Sequence, residues 1–202
     1  MKVLIINGSP TPDGNTYIAL NQVAKALNED GIETEILQLG KKPVPGCIAC
    51  NKCKTTGVCI FNTGIYQEVF EKIQEADGFV VGSPTYYAGP NGSLCALLDR
   101  LFYSAGRFLE YKPGTAVGIC RRGGSVCTVE RLNKYFEMTN MPMPSSQYWN
   151  NAFGLAHGDV VRDAEGMQTM RTLGHNLARL LKALENVPRP AQEEHAWTSF
   201  PG

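Results

Sequence analysis

The chain has 202 residues, which is long enough for one domain with a well-buried core. Lys plus Arg and Asp plus Glu number 19 each, and this balance argues against a nucleic-acid-binding surface, which needs a basic excess. No apolar run approaches the roughly 20 residues that span a bilayer, and no signal-peptide cleavage pattern follows the N-terminus. We therefore expect a cytoplasmic protein without a membrane segment, whose seven Cys are reduced thiols or ligands rather than disulfides.

Strands are predicted to alternate with helices along the chain. A buried strand at Val3–Ile6 is followed by a Gly- and hydroxyl-bearing loop over 8–16 and by a helix over 17–30. The later predicted elements are a strand at 33–39, a long cysteine-bearing loop at 40–62, a helix at 64–75, a strand at 77–82, a loop at 83–92, a helix at 93–105, a strand at 115–120, a loop at 121–125, a helix at 126–138, a short fifth strand within 145–151 and a helix at 164–184. This alternation predicts a parallel sheet with helices on both faces.

The loop over 8–16 is suited to a phosphate group, because it offers backbone N–H groups and hydroxyls just before a helix N-terminus. It contains no Lys or Arg, which excludes a nucleoside triphosphate loop, and G-x-G-x-x-G is absent as well. A loop of this kind, without a basic side chain, fits the terminal phosphate of a mononucleotide. The alternative is that Gly8-Ser9-Pro10 is only a turn and that Asn15 or Thr16 only caps the helix.

Three loops leave the carboxyl ends of apolar strands with similar chemistry, and parallel sheets bind ligands at that edge. They cover 8–16, 83–92 and 121–125, and each carries Gly and Ser. In the second loop Tyr86 and Tyr87 suit a flat heterocycle, although they could instead pack the loop against the following helix. In the third loop Arg121 or Arg122 could meet an anionic cofactor or the phosphate of a nicotinamide cofactor, or form a solvated surface pair.

Gly8-Ser9-Pro10 with Gly14-Asn15-Thr16, followed by Ser83-Pro84-Thr85-Tyr86-Tyr87, resembles the flavodoxin-like NADPH-dependent FMN reductase family over roughly residues 1–150. The resemblance implies a flavodoxin-like α/β fold, doubly wound around a five-stranded parallel sheet, with FMN bound noncovalently. It also implies a homodimer or homotetramer with the flavin near a subunit interface. By this match Ser9, Thr11, Asn15 and Thr16 would hold the phosphate, Pro84, Thr85, Tyr86, Tyr87 and Gly89 would line the isoalloxazine, and Gly123 and Gly124 would lie at its other edge.

Four cysteines fall within thirteen residues, at Cys47, Cys50, Cys53 and Cys59. Four thiolates at this spacing can ligate a [4Fe-4S] cluster or a zinc ion, and the compact run favours the cluster because zinc sites more often use two separated C-x-x-C pairs. The run also resembles that of the iron–sulfur flavoproteins. The alternative is a loop of free or buried thiols without a metal. The isolated Cys95 and Cys120 are predicted to pack in the interior.

Together these features predict an FMN-dependent oxidoreductase that moves electrons from NAD(P)H or ferredoxin to a small acceptor such as a flavin or a quinone. No catalytic side chain is predicted, because flavin chemistry belongs to the cofactor. Two alternatives are a flavodoxin-like electron carrier, although flavodoxins are usually strongly acidic, and a flavin-free cysteine module that binds a metal.

The flavin-binding domain is predicted to cover residues 1–187, and residues 188–202 are predicted to form a Pro-rich polar tail. The tail carries His195, Trp197 and Phe200. We expect its two aromatic residues to dock on a neighbouring subunit.

Overall fold

Strands and helices alternate along the chain in the computed structural model, which describes residues 1–191, 193, 194, 196 and 198. The elements are β1 (Lys2–Asn7), α1 (Asn15–Glu29), β2 (Glu33–Gln38), α2 (Cys53–Thr56), α3 (Ile65–Glu75), β3 (Gly78–Tyr86), β4 (Gly89–Pro90), α4 (Gly92–Ala105), β5 (Gly114–Cys120), α5 (Ser125–Met138), β6 (Asn151–Phe153) and α6 (Ala164–Leu184). The predicted docking residues His195, Trp197 and Phe200 lie outside the described residues.

The sheet confirms the predicted architecture. Five strands run parallel in the order β2-β1-β3-β5-β6, and the two-residue β4 pairs antiparallel with the end of β3. This is the flavodoxin-like strand order, in which the topological switch point lies between β1 and β3. Ligands bind such sheets outside the carboxyl ends of the strands at that point, so the loops after β1 and β3 are in the expected place.

The sheet separates two apolar cores, and the alternation of β1 shows how the sequence fills both. Val3 and Ile5 pack toward α1 and α6, whereas Leu4 and Ile6 pack toward α3, α4 and α5; all four side chains are fully buried. None of the helices in the described part of the chain combines the length and the apolar character needed to cross a bilayer.

Two predicted elements have different bounds in the structure. β3 continues to Tyr86, four residues beyond the prediction, because Ser83 and Pro84 pair with Gly118 and Ile119 of β5 and the strand then turns back through β4. The fifth parallel strand lies at Asn151–Phe153 rather than within 145–151. The preceding segment is folded on itself: the Ser146 hydroxyl oxygen lies 2.6 Å from the Tyr148 carbonyl oxygen and 2.8 Å from Asn150 Oδ1, and its one proton can go to either acceptor.

α1 and α6 approach each other closely at Gly174, and this contact fixes the helix that starts the candidate phosphate site. A methyl group added at Gly174 would lie 2.6 Å from Ala26 Cβ and 2.7 Å from the Val23 carbonyl oxygen. Gly174→Ala is therefore expected to lower the free energy of unfolding by about 1–3 kcal/mol, measured by urea denaturation. Gly92→Ala is the helical control, because no atom lies within 4 Å of its added methyl group. Equal denaturation midpoints for the two variants would contradict the close packing.

Glu35 on β2 bridges two lysines, and this makes the stability of the fold depend on pH in the acid range. Its carboxylate oxygens lie 2.5 Å from Lys72 Nζ and 2.9 Å from Lys2 Nζ. Hydrogen bonds from Lys72 and then Lys2 lower the pKa of Glu35 from its ordinary value of 4.5. A carboxyl whose pKa is lowered by folding stabilises the fold above its unfolded pKa, and this contribution is lost as the pH falls through the folded pKa.

Glu35→Gln is therefore expected to reduce stability near pH 7 and to flatten its decline as the pH falls below about 4.5. Urea denaturation at a series of pH values measures this. Glu33→Gln, an exposed carboxylate on the same strand, is the matched control. If Glu35→Gln kept the wild-type slope below about pH 4.5, the ion pairs would contribute nothing to stability.

Candidate functional site

The loops after β1 and β3 are tied side by side by backbone and amide hydrogen bonds. The Gly8 N–H donates to the Gly82 carbonyl at 2.8 Å, and Asn91 Nδ2 donates to the Gly8 carbonyl at 2.9 Å. The Asn91 N–H also donates to Ser83 Oγ at 2.9 Å. A methyl group at Gly8 would lie 2.7 Å from the Gly82 carbonyl oxygen, so glycine is required for this approach. The two loops therefore form one rigid edge at the switch point.

The start of α1 offers unused donors to an anion. Gly14 precedes the helix and supplies no capping side chain, and the first bond into the helix runs from the Ile18 N–H to the Gly14 carbonyl at 3.0 Å. The N–H groups of the first turn, Asn15 to Tyr17, consequently have no partner among the described residues. The Thr16 side chain in that turn is 3% exposed. This arrangement, with the positive end of the helix dipole, fits a phosphate.

Ser9 and Thr11 lie beside this helix start and are held by residues that sequence reasoning missed. The Ser9 N–H donates to Asn7 Oδ1 at 3.1 Å, and Gln38 Nε2 donates to the Ser9 carbonyl. The Thr11 N–H donates to Ser9 Oγ at 3.1 Å, so the Ser9 hydroxyl still has its proton to offer. Asn7 is fully buried directly after four apolar residues of β1, and that polar residue was the available signal.

The Asn15 side chain serves the protein rather than a ligand. Its Nδ2 donates to the Ala156 carbonyl at 2.8 Å, and its Oδ1 accepts from the Val160 N–H at 3.2 Å. Asn15 thus ties the loop after β6 to the start of α1. Of the predicted phosphate ligands, Ser9 and Thr11 are joined by a hydrogen bond, Thr16 lies in the first turn of α1, and Asn15 has its side chain engaged within the protein.

The two tyrosines of the second loop lie on a strained hairpin between β3 and β4. Tyr87 and Ala88 form its two-residue turn with φ of 50° and 58°, in the left-handed region that costs non-glycine residues about 1–2 kcal/mol each. The Tyr86 side chain is half exposed and that of Tyr87 is fully exposed. Tyr87 therefore does not pack its loop against α4, and strain of this kind is characteristic of functional sites.

The third loop meets the same hairpin. Gly124 has φ of 87°, and a methyl group added there would lie 3.0 Å from Ala88 Cα. The Thr128 hydroxyl donates to Thr85 Oγ1 at 3.0 Å, which fixes α5 to β3. Gly123 has no neighbouring atom within 4 Å of its added methyl group. Gly124 is thus required for packing against the hairpin, whereas Gly123 leaves open space beside it.

Comparison with known proteins identifies the family of this chain. A model of the NADPH-dependent FMN reductase family matches residues 1–155. The chain belongs to this family.

Relatives of this FMN reductase family member cover nearly its whole length. An iron–sulfur flavoprotein of Methanocaldococcus jannaschii is 36% identical over 193 residues, which are 92% of this chain and 100% of that protein. RosB, solved with bound 8-demethyl-8-formylriboflavin-5'-phosphate, superimposes with a TM-score of 0.73 at 16% identity, over 94% of this chain and 82% of RosB. An archaeal flavodoxin superimposes with a TM-score of 0.59 at 14% identity, over 90% of this chain and 99% of that one. At these identities the two structures show the shared flavodoxin-like fold.

In this FMN reductase family member the four clustered cysteines line one small cavity of about 20 Å³ between the cysteine-bearing loop and α4. Cys53 and Cys59 are half-buried, Cys47 and Cys50 are exposed, and all four are free thiols. The cavity is completed by Ile48, Asn51, Ile60, Phe61, Arg100, Tyr103 and Ser104. The predicted ligand set is therefore brought to one place.

The spacing of these thiols bears on which metal group they fit. Within the described chain, no three Cys, His, Asp or Glu side chains are gathered closely enough for a single metal ion. A zinc ion needs all its sulfurs at about 2.3 Å, whereas a cluster distributes its four cysteines over several irons. Ala49 and Asn51, on either side of Cys50, have left-handed φ of 54° and 56°. The described residues therefore gather the four thiols around one cavity without bringing three of them close enough to hold a single metal ion.

The thiol cavity and the three loops are connected through α4. Asn91 caps the N-terminus of α4 at the loops, and Arg100 lines the thiol cavity nine residues further along the helix. At the rise of an α-helix this separates the two places by about 14 Å.

The remaining cysteines lie elsewhere. Cys120 is buried at the end of β5, in an interior position as predicted, and Cys95 is half-buried on α4. Burial raises the pKa of the Cys95 thiol, which favours its protonated form at neutral pH.

Proposed function

We propose that the chain is an FMN-dependent oxidoreductase that passes electrons from NAD(P)H or ferredoxin to a small acceptor such as a flavin or a quinone, with a [4Fe-4S] cluster in the thiol cavity. The observation that carries the proposal is the anion site at the start of α1, which has no basic side chain in its loop, beside an exposed tyrosine hairpin at the switch point. Membership of the FMN reductase family supports it.

The residues at the three loops fit FMN. The phosphate would accept hydrogen bonds from the Ser9, Thr11 and Thr16 hydroxyls and from the free N–H groups of the first turn of α1. The isoalloxazine would lie against the hairpin segment from Pro84 to Gly89, with Gly123 at its other edge. When bound, FMN supplies hydride and electron transfer, and the protein supplies its placement.

The donor set of the thiol cavity fits a [4Fe-4S] cluster, which would be ligated by the thiolates of Cys47, Cys50, Cys53 and Cys59 and would supply one-electron transfer. The name of the relative from Methanocaldococcus jannaschii supports this assignment.

The charge around the cysteines supports a protein electron donor at that end of the molecule. Residues 40–63 contain four lysines, Lys41, Lys42, Lys52 and Lys54, and no Asp or Glu, although the whole chain has a net charge of zero. A local positive surface attracts an anionic partner and speeds its association. Ferredoxin would deliver electrons here, whereas NAD(P)H would meet the flavin directly.

Assembly into a homodimer or homotetramer is part of the proposal. Large aromatic side chains remain exposed just before β6: Tyr148 and Trp149 are 51% and 57% exposed, with ring centroids 4.8 Å apart. Exposed apolar clusters of this kind mark interaction surfaces. A second subunit would cover them.

The test of the proposed function is reduction and turnover by protein purified without oxygen. NADPH, NADH or reduced ferredoxin is expected to bleach the flavin absorbance, and added quinone or free FMN is expected to restore it through many cycles. A flavin that is bleached only by dithionite, with no turnover, would contradict an oxidoreductase and favour an electron carrier. The buffer without protein is the control for direct reaction between donor and acceptor.

A further inference from the structure

A buried cation faces the thiol cavity without a carboxylate partner. The Arg100 side chain on α4 is 2% exposed, and no carboxylate of the described residues lies within 4.0 Å of it. Its Nε donates to Cys59 Sγ at 3.4 Å, its Nη1 donates to the Pro45 carbonyl at 3.2 Å, and its Nη2 donates to the Phe61 carbonyl. All three bonds end on the cysteine-bearing loop.

The neighbouring carboxylate does not compensate this charge. Asp99 precedes Arg100 on α4 but accepts a hydrogen bond from the Tyr135 hydroxyl and lies 3.6 Å from Arg131, both on α5. The guanidinium of Arg100 instead lies over the rings of Phe61 and Tyr66, with its Cζ 5.5 and 4.6 Å from their centroids.

Ring faces and carbonyls offset part of the cost of burying a guanidinium, but a buried charge is ordinarily paired with an opposite charge. The groups at this cavity that can carry negative charge are the four thiols. Bound as thiolates in a cluster, they would supply the opposite charge that Arg100 lacks.

The backbone of Cys59 is also fixed by a hydrogen bond. Its N–H donates to the Tyr66 hydroxyl at 3.1 Å, the Tyr66 hydroxyl donates to Ser104 Oγ at 2.6 Å, and Ser104 Oγ donates to the Arg100 carbonyl at 2.6 Å. The chain of bonds returns to the residue whose guanidinium contacts the Cys59 sulfur. Both ends of Cys59 are thus fixed relative to Arg100, and the distance between cation and sulfur is built into the fold.

We infer that Arg100 is a positioning residue that balances the negative charge of a thiolate-ligated cluster and raises its reduction potential. The inference rests on the cluster of the proposed function. Reduction adds a negative charge to the cluster, and a cation that donates to a ligand sulfur stabilises the reduced form more than the oxidised form.

The test compares Arg100→Gln, which removes the charge, with Arg100→Lys, which keeps it, after iron–sulfur reconstitution without oxygen. Arg107→Gln is the matched control, because the exposed Arg107 also donates to this loop, at the Gly57 carbonyl, but not to a cysteine. The readouts are iron and sulfide content and the midpoint potential of the cluster, from a redox titration followed by electron paramagnetic resonance. Arg100→Gln is expected to lower the equilibrium constant for one-electron reduction at least about tenfold, which is 59 mV.

Arg100→Lys and Arg107→Gln are expected to keep most of the wild-type potential. An equal fall in both Arg100 variants, or an unchanged potential in Arg100→Gln, would overturn the inference. If Arg100→Gln takes up no cluster, a loaded Arg100→Lys supports charge balance, and an unloaded one contradicts it in favour of a purely structural role. A wild-type protein without iron and sulfide would instead remove the cluster from the proposed function, and this inference with it.

Discussion

Thr11→Glu is expected to weaken FMN binding by at least about 100-fold, or about 2.7 kcal/mol, while leaving the fold intact. The loop over 8–16 contains no Lys or Arg, so nothing in it would neutralise a carboxylate placed beside a phosphate dianion. Thr11 is exposed, and surface substitutions usually change stability by less than about 0.5 kcal/mol. Isothermal titration of flavin-free protein with FMN measures the effect, and circular dichroism checks the fold.

Thr11→Gln is the matched control, because it has the size of Glu without the charge. It is expected to lose less than about tenfold in affinity, since a single neutral hydrogen bond contributes about 0.5–1.5 kcal/mol. If Thr11→Glu bound FMN as tightly as Thr11→Gln, the phosphate would not lie in this loop.

Cys59→Ser is expected to remove the iron and the acid-labile sulfide while retaining the flavin. A four-thiolate cluster that loses one ligand is poorly held, so the content should fall from about four irons per chain to near background. Iron, sulfide and FMN are assayed on the same anaerobic preparation. The flavin is retained because the cysteines and the three loops lie about 14 Å apart along α4.

Cys127→Ser is the control for this experiment, because Cys127 is an exposed thiol outside the four-cysteine cavity. It should keep the iron, sulfide and flavin of the wild type. Iron that persists in Cys59→Ser, or that is lost equally in both variants, would contradict the assigned ligands. Zinc in place of iron and sulfide in the wild type would show that the loop closes around a single ion.

Most of the fold is readable from local patterns in the sequence. The helix at Ala164–Leu184 was predicted at its observed bounds, because a long amphipathic repeat with apolar residues on one face is a strong signal. The end of β3 was not predicted, because Ser83-Pro84-Thr85-Tyr86 has the composition of a loop. In the structure its first two residues pair with β5 and its last two pair with β4. Pairing across the sheet, which the sequence does not display, decided its conformation.

In the candidate site, too, local features could be predicted from the sequence and long-range contacts could not. Its three loops were found because glycine, serine and tyrosine follow apolar strands, and these are local features. The partner of the Asn15 side chain is 141 residues away, so its role in tying the loop after β6 had no local signal. Arg100 follows Asp99 on α4 and resembles a solvated residue in sequence, yet the cysteine-bearing loop covers it. Long-range contacts thus determine which polar residues serve a ligand and which serve the fold.

The most direct test of this account is the flavin content of the wild-type chain after purification without oxygen and addition of FMN. We expect a yellow protein with about one tightly bound FMN per chain, whose binding is lost in Thr11→Glu and kept in Thr11→Gln. A colourless protein that takes up no added FMN would contradict the account, because the free donors at the start of α1 and the exposed tyrosine hairpin would then have no ligand in common.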